Sequence, residues 1–165
     1  MKKTLYLKFL LAYVIFGIFG FIIISVFVPK LTVEQLTREK ANTLYSEATL
    51  IADRYGSGLY TSDTSLESVK NQLDALSVYL DSDIWIINPS GRMVLTTEYP
   101  LNVDEVVIIE NFDPTLTANS YYNVSNFFDY YDEAMLNVIA PITTNYKVNG
   151  YVVIHASMAS VYESS

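Results

Sequence analysis

The 165-residue chain contains no cysteine, one histidine, one tryptophan, and only ten basic residues against eighteen acidic ones. Without cysteine there is no disulfide scaffold, no thiolate metal centre and no thiol nucleophile. One histidine and no cysteine leave the commonest acid–base and nucleophile arrangements impossible to assemble. A glycine-rich phosphate loop, a G-x-S-x-G elbow and an H-E-x-x-H pair are all absent, so no catalytic constellation is expected and no cofactor is implied. A net charge of −8 provides no basic face for phosphates, which excludes nucleic acid as a partner. Yet 51% of the residues are hydrophobic. The acidity and the hydrophobicity occupy different segments.

Residues 9–28 read FLLAYVIFGIFGFIIISVFV, without a charge. A helix of about 20 residues spans about 30 Å, the thickness of a bilayer's hydrocarbon core. A cleaved signal peptide is the competing reading, since Lys2 and Lys3 precede the run. Its apolar core is normally shorter and ends in an A-x-A-like site, which Ser25–Lys30 does not supply. An uncleaved transmembrane helix with the lipid bilayer as partner is therefore expected. Lys2, Lys3 and Lys8 place residues 1–8 in the cytoplasm and the bulk of the chain outside. Beyond Val28 stand all eighteen acidic and seven basic residues, a net charge of −11.

Residues 29–58 are expected to form a juxtamembrane stalk helix. Val33, Leu36, Lys40, Leu44, Ala48, Ile51 and Tyr55 recur every three or four positions along one face. Pro29 is expected to kink or break the helix where it leaves the bilayer, and Gly56-Ser57-Gly58 to end it with a left-handed cap. The stripe suits packing on the chain's own domain and pairing with a second copy, so a homodimer through stalk and membrane helices is expected.

The sequence of residues 59–156 predicts a folded domain. Thr64-Ser65-Leu66-Glu67 resembles a capping box with Thr64 as N-cap. Leu66, Val69, Leu73, Leu76 and Leu80 then mark an amphipathic helix with Lys70, Asn71 and Asp74 on its wet side. Ile84–Thr97 reads as a β-hairpin around Asn88-Pro89-Ser90-Gly91. Residues 100–124 predict a long excursion holding a short strand or helix; Asn123-Val124-Ser125 matches a glycosylation sequon. Ala134–Ile142 and Tyr151–Ala156 predict two further strands, joined by a turn over Thr143–Gly150 that Asn149-Gly150 closes. Ser157 is placed to cap a last helix over 157–165. The fold class is α+β, an antiparallel sheet with helices on one face.

Three segments carry a resemblance. Asp83–Val94 is similar to a hydrophobic strand, polar turn and second strand; Leu136–Ile142 with Gly150–His155 is similar to a closing hairpin; and an apolar helix leads into a long one. Together they resemble the extracytoplasmic sensor region, PAS-like or single Cache in class, of a bacterial two-component sensor histidine kinase. The resemblance implies a sensing domain without chemistry of its own, possible binding of a small-molecule ligand, and a cytoplasmic kinase module absent from this chain. On that reading residues 157–165 begin a helix leading to a second membrane segment. A membrane-anchored adhesion or cell-envelope scaffold without signalling output is the alternative.

Four residues are candidates for ligand contact: Arg92, able to clamp a carboxylate; Tyr122 and Tyr130, in a tyrosine-rich region that also holds Tyr121 and Tyr131; and His155, which titrates near neutrality. Each has a plainer reading, for His155 a half-buried strand histidine and for Arg92 a surface residue beside a turn. Asp129, Asp132 and Glu133 offer oxygens to a divalent cation, though without calcium-loop spacing; solvated acids are the plainer reading.

Overall fold

A computed structural model describes residues 2–56, 65–100, 107–114 and 121–163. The first helix, α1, covers Lys2–Ile51 and continues into a single π-helical turn, Ala52–Gly56. Two compact units divide within it, residues 1–36 and residues 37–165. In the first unit the large apolar side chains from Phe9 to Phe27 are exposed around the whole helix. This stretch is long and apolar enough to cross a membrane, and none of it is buried. The helix runs through Pro29 instead of breaking there. Proline removes one N–H from the ladder, a loss that a long, otherwise fully bonded helix absorbs. The expected cap at Ser57-Gly58 lies outside the described residues.

In the second unit the buried line along α1 is Thr37, Ala41, Leu44, Ala48 and Ile51, continued by Ala52 of the π-helical turn. The stripe read from the sequence held three of these and passed over Thr37, Ala41 and Ala52, whose small side chains let a helix approach closely. After it come α2 (Leu66–Leu80), β1 (Asp83–Ile87), β2 (Met93–Thr96), β3 (Tyr122–Ser125), β4 (Met135–Thr144), β5 (Lys147–Ser157) and α3 (Met158–Glu163). The five strands form one antiparallel sheet in the order β2-β1-β5-β4-β3.

The cap of α2 is Ser65, one residue later than expected: its hydroxyl accepts from the Ser68 amide at 3.2 Å. Asp81, with φ 51°, closes the other end, its amide and that of Ser82 returning to Val78 and Ser77. Lys70 is not on the wet side. It is 7% exposed, and its ammonium pairs with Asp74 at 2.6 Å. A lysine stem buries readily when its head keeps a partner.

The β4–β5 turn is also shorter than the sequence suggested. Thr144 pairs directly with Lys147, leaving Asn145-Tyr146 as a two-residue turn with φ 52° and 64°. Both residues then have the positive φ that a tight hairpin turn needs. Asn149-Gly150 lies within β5, where the register shifts between Ile142 and Thr143. Ser157 caps α3 as expected, accepting from the Ser160 amide at 3.2 Å.

Strand alternation divides the core into two faces. Ile84, Ile86, Leu136, Val138, Ala140, Ile142, Val152 and Ile154 are buried on one. The π turn packs on β4 and β5, while α2 packs on β1 and β2. The opposite face presents Trp85, Ile87, Asn137, Val153 and His155, and two irregular segments, residues 107–112 and 126–131, cover it. The first is tied to the β1–β2 turn: Met93 N–H donates to Val107 O and Ile109 N–H to Gly91 O. Gly91 has φ 93°, and a Cβ there would stand 2.7 Å from the Ile109 carbonyl oxygen, so only glycine fits.

Candidate functional site

The second face is polar and aromatic at its centre. Strand register sets Asn123, Asn137, His155 and Asp83 in one row across β3, β4, β5 and β1. Asn137 Nδ2 donates to Asn123 Oδ1 at 2.9 Å and to Ser125 O and Oγ at 3.1 Å. Its Oδ1 therefore turns to His155 Nδ1, 2.7 Å away. That network assigns the proton to Nδ1 and leaves Nε2 as a bare acceptor. Nε2 is buried without a hydrogen-bond partner, and so is the Trp85 indole nitrogen, Nε1.

Three further rings, Phe127, Tyr130 and Tyr131, pack on this pair of residues. His155 lies 4.3 Å from Trp85, 4.6 Å from Phe127 and 5.1 Å from Tyr131, centroid to centroid. Tyr130 meets Trp85 edge-on at 4.6 Å, and Tyr131 stacks on it at 6.0 Å. Burial among these rings pushes the His155 imidazole down to about 3, so it is neutral at ordinary pH.

The cover is an unusual piece of backbone. Phe127, Phe128 and Asp129 have φ values of 49°, 55° and 64°, three consecutive non-glycine residues in the left-handed region. Each such residue costs about 1–2 kcal/mol. Reciprocal contacts hold the turn: Asn126 Nδ2 donates to Asp129 Oδ1 at 2.9 Å, and the Asp129 amide returns to Asn126 Oδ1 at 3.3 Å. Tyr131 N–H closes it on Asn126 O at 3.0 Å.

Glu98, just beyond β2, fastens the far side. Its two carboxylate oxygens accept from the Tyr130 and Tyr131 hydroxyls at 2.9 and 2.8 Å. Both phenols are pushed well above their ordinary range, by burial first and then by the bond to this carboxylate. Asp83 is raised by partial burial and then by the charge of Glu98, with the Thr97 hydroxyl pulling the other way. Beside Glu98 an open groove of about 530 Å³ runs between α2 and Thr97–Pro100, with Lys70 and Asp74 in its wall.

Of the residues singled out in the sequence, Tyr130 and His155 meet on Trp85. His155 is 1% exposed rather than half-buried, because the 126–131 turn closes over it. Arg92 is exposed at the sheet's other end, bridged to Ile108. Tyr122 lies on β3, its ring against Tyr121, which itself packs on Tyr45 and bonds Asn42. Asp129, Asp132 and Glu133 are exposed, and no three acidic, histidine or cysteine side chains converge to hold a metal among the described residues. Trp85, Asn137 and Glu98 were not singled out. The chain's single tryptophan in a strand, two residues from the position opposite His155, was the available signal.

No family model matches the sequence, and no curated protein matches it. Solved structures do match in fold. The sensor domain of the V. cholerae histidine kinase DctB shares 14% identity at a TM-score of 0.54, over 81% of this chain and 56% of that one. The extracellular domain of vpHK1S-Z8 shares 14% at 0.53, over 82% and 60%. The ligand-binding domain of the Campylobacter jejuni chemoreceptor Tlp3, in complex with 4-methylisoleucine, shares 11% at 0.51, over 86% and 64%. The chain thus spans a little over half the length of these domains, and it has the PAS-like, Cache-type fold of extracytoplasmic sensor domains.

Proposed function

We propose that the chain is the membrane-anchored, extracytoplasmic sensing part of a two-component sensor histidine kinase. Residues 9–28 cross the bilayer, residues 1–8 are cytoplasmic, and the sheet domain faces outward as a homodimer joined through its stalk and membrane helices. A small molecule bound on the aromatic face changes how that face packs. The change biases the helices at either end of the domain, α1 and α3, between two arrangements that a cytoplasmic kinase module reads. The domain performs no reaction itself. The observation that carries this reading is a sensor-type sheet entered by a helix continuous in sequence with a bare apolar segment.

Topology tests it. The natural sequence has no cysteine, so Tyr146→Cys and Lys3→Cys report without background. A membrane-impermeant maleimide should label the first in intact cells and the second only after lysis; the reverse pattern contradicts the reading. Thermal-shift measurements on the full chain in detergent, against organic acids, amino acids, amides, polyols and divalent cations, test the sensing role. A shift with none of them would point away from a small-molecule signal.

A further inference from the structure

We propose that the Asn126–Tyr131 turn is a closed lid over a small-ligand site whose polar contacts are Trp85 Nε1–H and His155 Nε2, and that the ligand is an uncharged compound bearing a hydroxyl or amide. The inference rests on the sensing role proposed above and adds to it the site and the ligand's chemistry.

Two observations meet here. The first is the pair of unpartnered atoms, both wholly buried, one a donor and the other an acceptor. Buried polar atoms are nearly always paired, and an exception calls for a reason. His155 and Trp85 have their rings 4.3 Å apart. A single hydroxyl or amide both gives and accepts a hydrogen bond, so it complements the two together. The second is the cover. Its backbone is left-handed at three successive residues, and it is fastened by side-chain bonds at its margin: Asn126 with Asp129, and Glu98 with Tyr130 and Tyr131. Releasing those bonds relaxes the strained residues and uncovers both nitrogens, while the ladder between β1 and β5 stays intact.

The charges oppose an anionic ligand, and the hydrogen-bonding pair does not suit an ammonium. Asp83 and Glu98 are the ionisable acids beside the cluster, and each opposes a second carboxylate. Of the cations that could answer an organic acid, Arg92 stands at the sheet's other end, and Lys70, in the groove beside Glu98, is already paired with Asp74. An ammonium would satisfy Nε2 and leave the indole N–H without an acceptor.

The sole histidine can be footprinted. The full chain in detergent micelles is treated with diethylpyrocarbonate, and the modification of His155 is followed by mass spectrometry of its peptide. A lid predicts slow native-state modification that low urea leaves unchanged. Tyr130→Phe/Tyr131→Phe, which removes both bonds to Glu98, should raise it about tenfold, with Glu98→Gln moving it the same way; each variant's thermal midpoint controls for unfolding. Acetamide or glycerol should slow the modification, and succinate and tetramethylammonium should not. Modification that tracks global unfolding in urea, with no change in either variant, overturns the lid. Protection by succinate or tetramethylammonium alone, or by none of the probes, overturns the ligand assignment; the last leaves a buried water as the partner of the two nitrogens. A thermal shift from any compound without a change at His155 leaves the sensing reading standing and removes this site.

Discussion

The two faces of the sheet are built from the same strands and do different work. Toward the helices, Ile84, Ile86, Leu136, Ile142, Val152 and Ile154 are buried. All are aliphatic, with no polar side-chain atom to satisfy. On the other face the same strands contribute Trp85, Asn137 and His155, and a strained turn takes the place of a helix. One face supplies stability, since burying a large aliphatic side chain is worth about 1.5–3 kcal/mol. The other holds unpaired polar atoms, each costing about 1–3 kcal/mol, beneath a left-handed turn. Alternation along a strand, with period two, lets a thin domain keep these two tasks apart.

The largest effect should come from the aliphatic face. Ile154→Ala is expected to cost about 2–5 kcal/mol, read as a fall in the thermal midpoint of the chain in detergent. A loss much below that range would erase the contrast between the faces. Gly91→Ala should cost about 1–3 kcal/mol, because its φ of 93° and the Ile109 carbonyl at 2.7 Å leave no room for a methyl group. It also tests whether the 107–109 segment covers the aromatic face through that turn.

The third prediction concerns pH. His155 is pushed down to about 3 by burial, whereas an unfolded histidine takes up its proton near 6.5. Between those values the unfolded chain binds more protons, so stability rises with pH across the window and is lost as pH falls from 6.5 towards 3. Asp83 is raised and acts in the opposite direction just above the ordinary carboxylate range. His155→Gln should flatten the slope between pH 6.5 and 5 in a series of thermal midpoints; an unchanged slope would place its origin elsewhere. The smallest effect belongs to Tyr130→Phe, which removes one hydrogen bond at a partly exposed carboxylate. About 0.5–1.5 kcal/mol is expected, well under the Ile154→Ala loss in the same assay.

Much of the framework was legible in the sequence, and the site was largely not. The apolar runs at Ile84–Ile87, Leu136–Ile142 and Tyr151–Ala156 announce strands, because backbone period and side-chain burial agree there. Ser157 announces its cap for a similarly local reason. The errors fall where two local signals compete. Asn149-Gly150 is the stronger turn dipeptide, yet Asn145-Tyr146 turns because pairing from Thr144 to Lys147 fixes the loop length. Thr64 and Ser65 can both cap, and the structure uses the second. Lys70 reads as solvated, yet its stem is buried while its ammonium keeps the carboxylate of the half-exposed Asp74, one turn later.

At the site the missing information is tertiary. Nothing local in Asn126–Tyr131 marks three successive left-handed residues. The burial of His155 depends on that turn closing over it. The tyrosine-rich composition did draw attention to Tyr130, whereas Trp85 and Glu98 reach the cluster from segments far away in sequence, and Asn137 is brought to His155 by the pairing of β4 with β5. Arg92 and Tyr122, equally plausible in one dimension, lie at other places on the sheet.

The claim that the aromatic face opens without unfolding of the sheet is most directly tested by hydrogen exchange at the Trp85 indole. The chain has one tryptophan, so its Nε1–H gives one side-chain resonance in the NMR spectrum of the full chain in detergent. Its exchange is expected to be much faster than that of the β5 backbone amides and insensitive to low urea, because only the turn must open. Exchange of the indole at the rate of those amides, with the same dependence on urea, would show that the aromatic face opens only when the whole sheet unfolds, and would contradict the account.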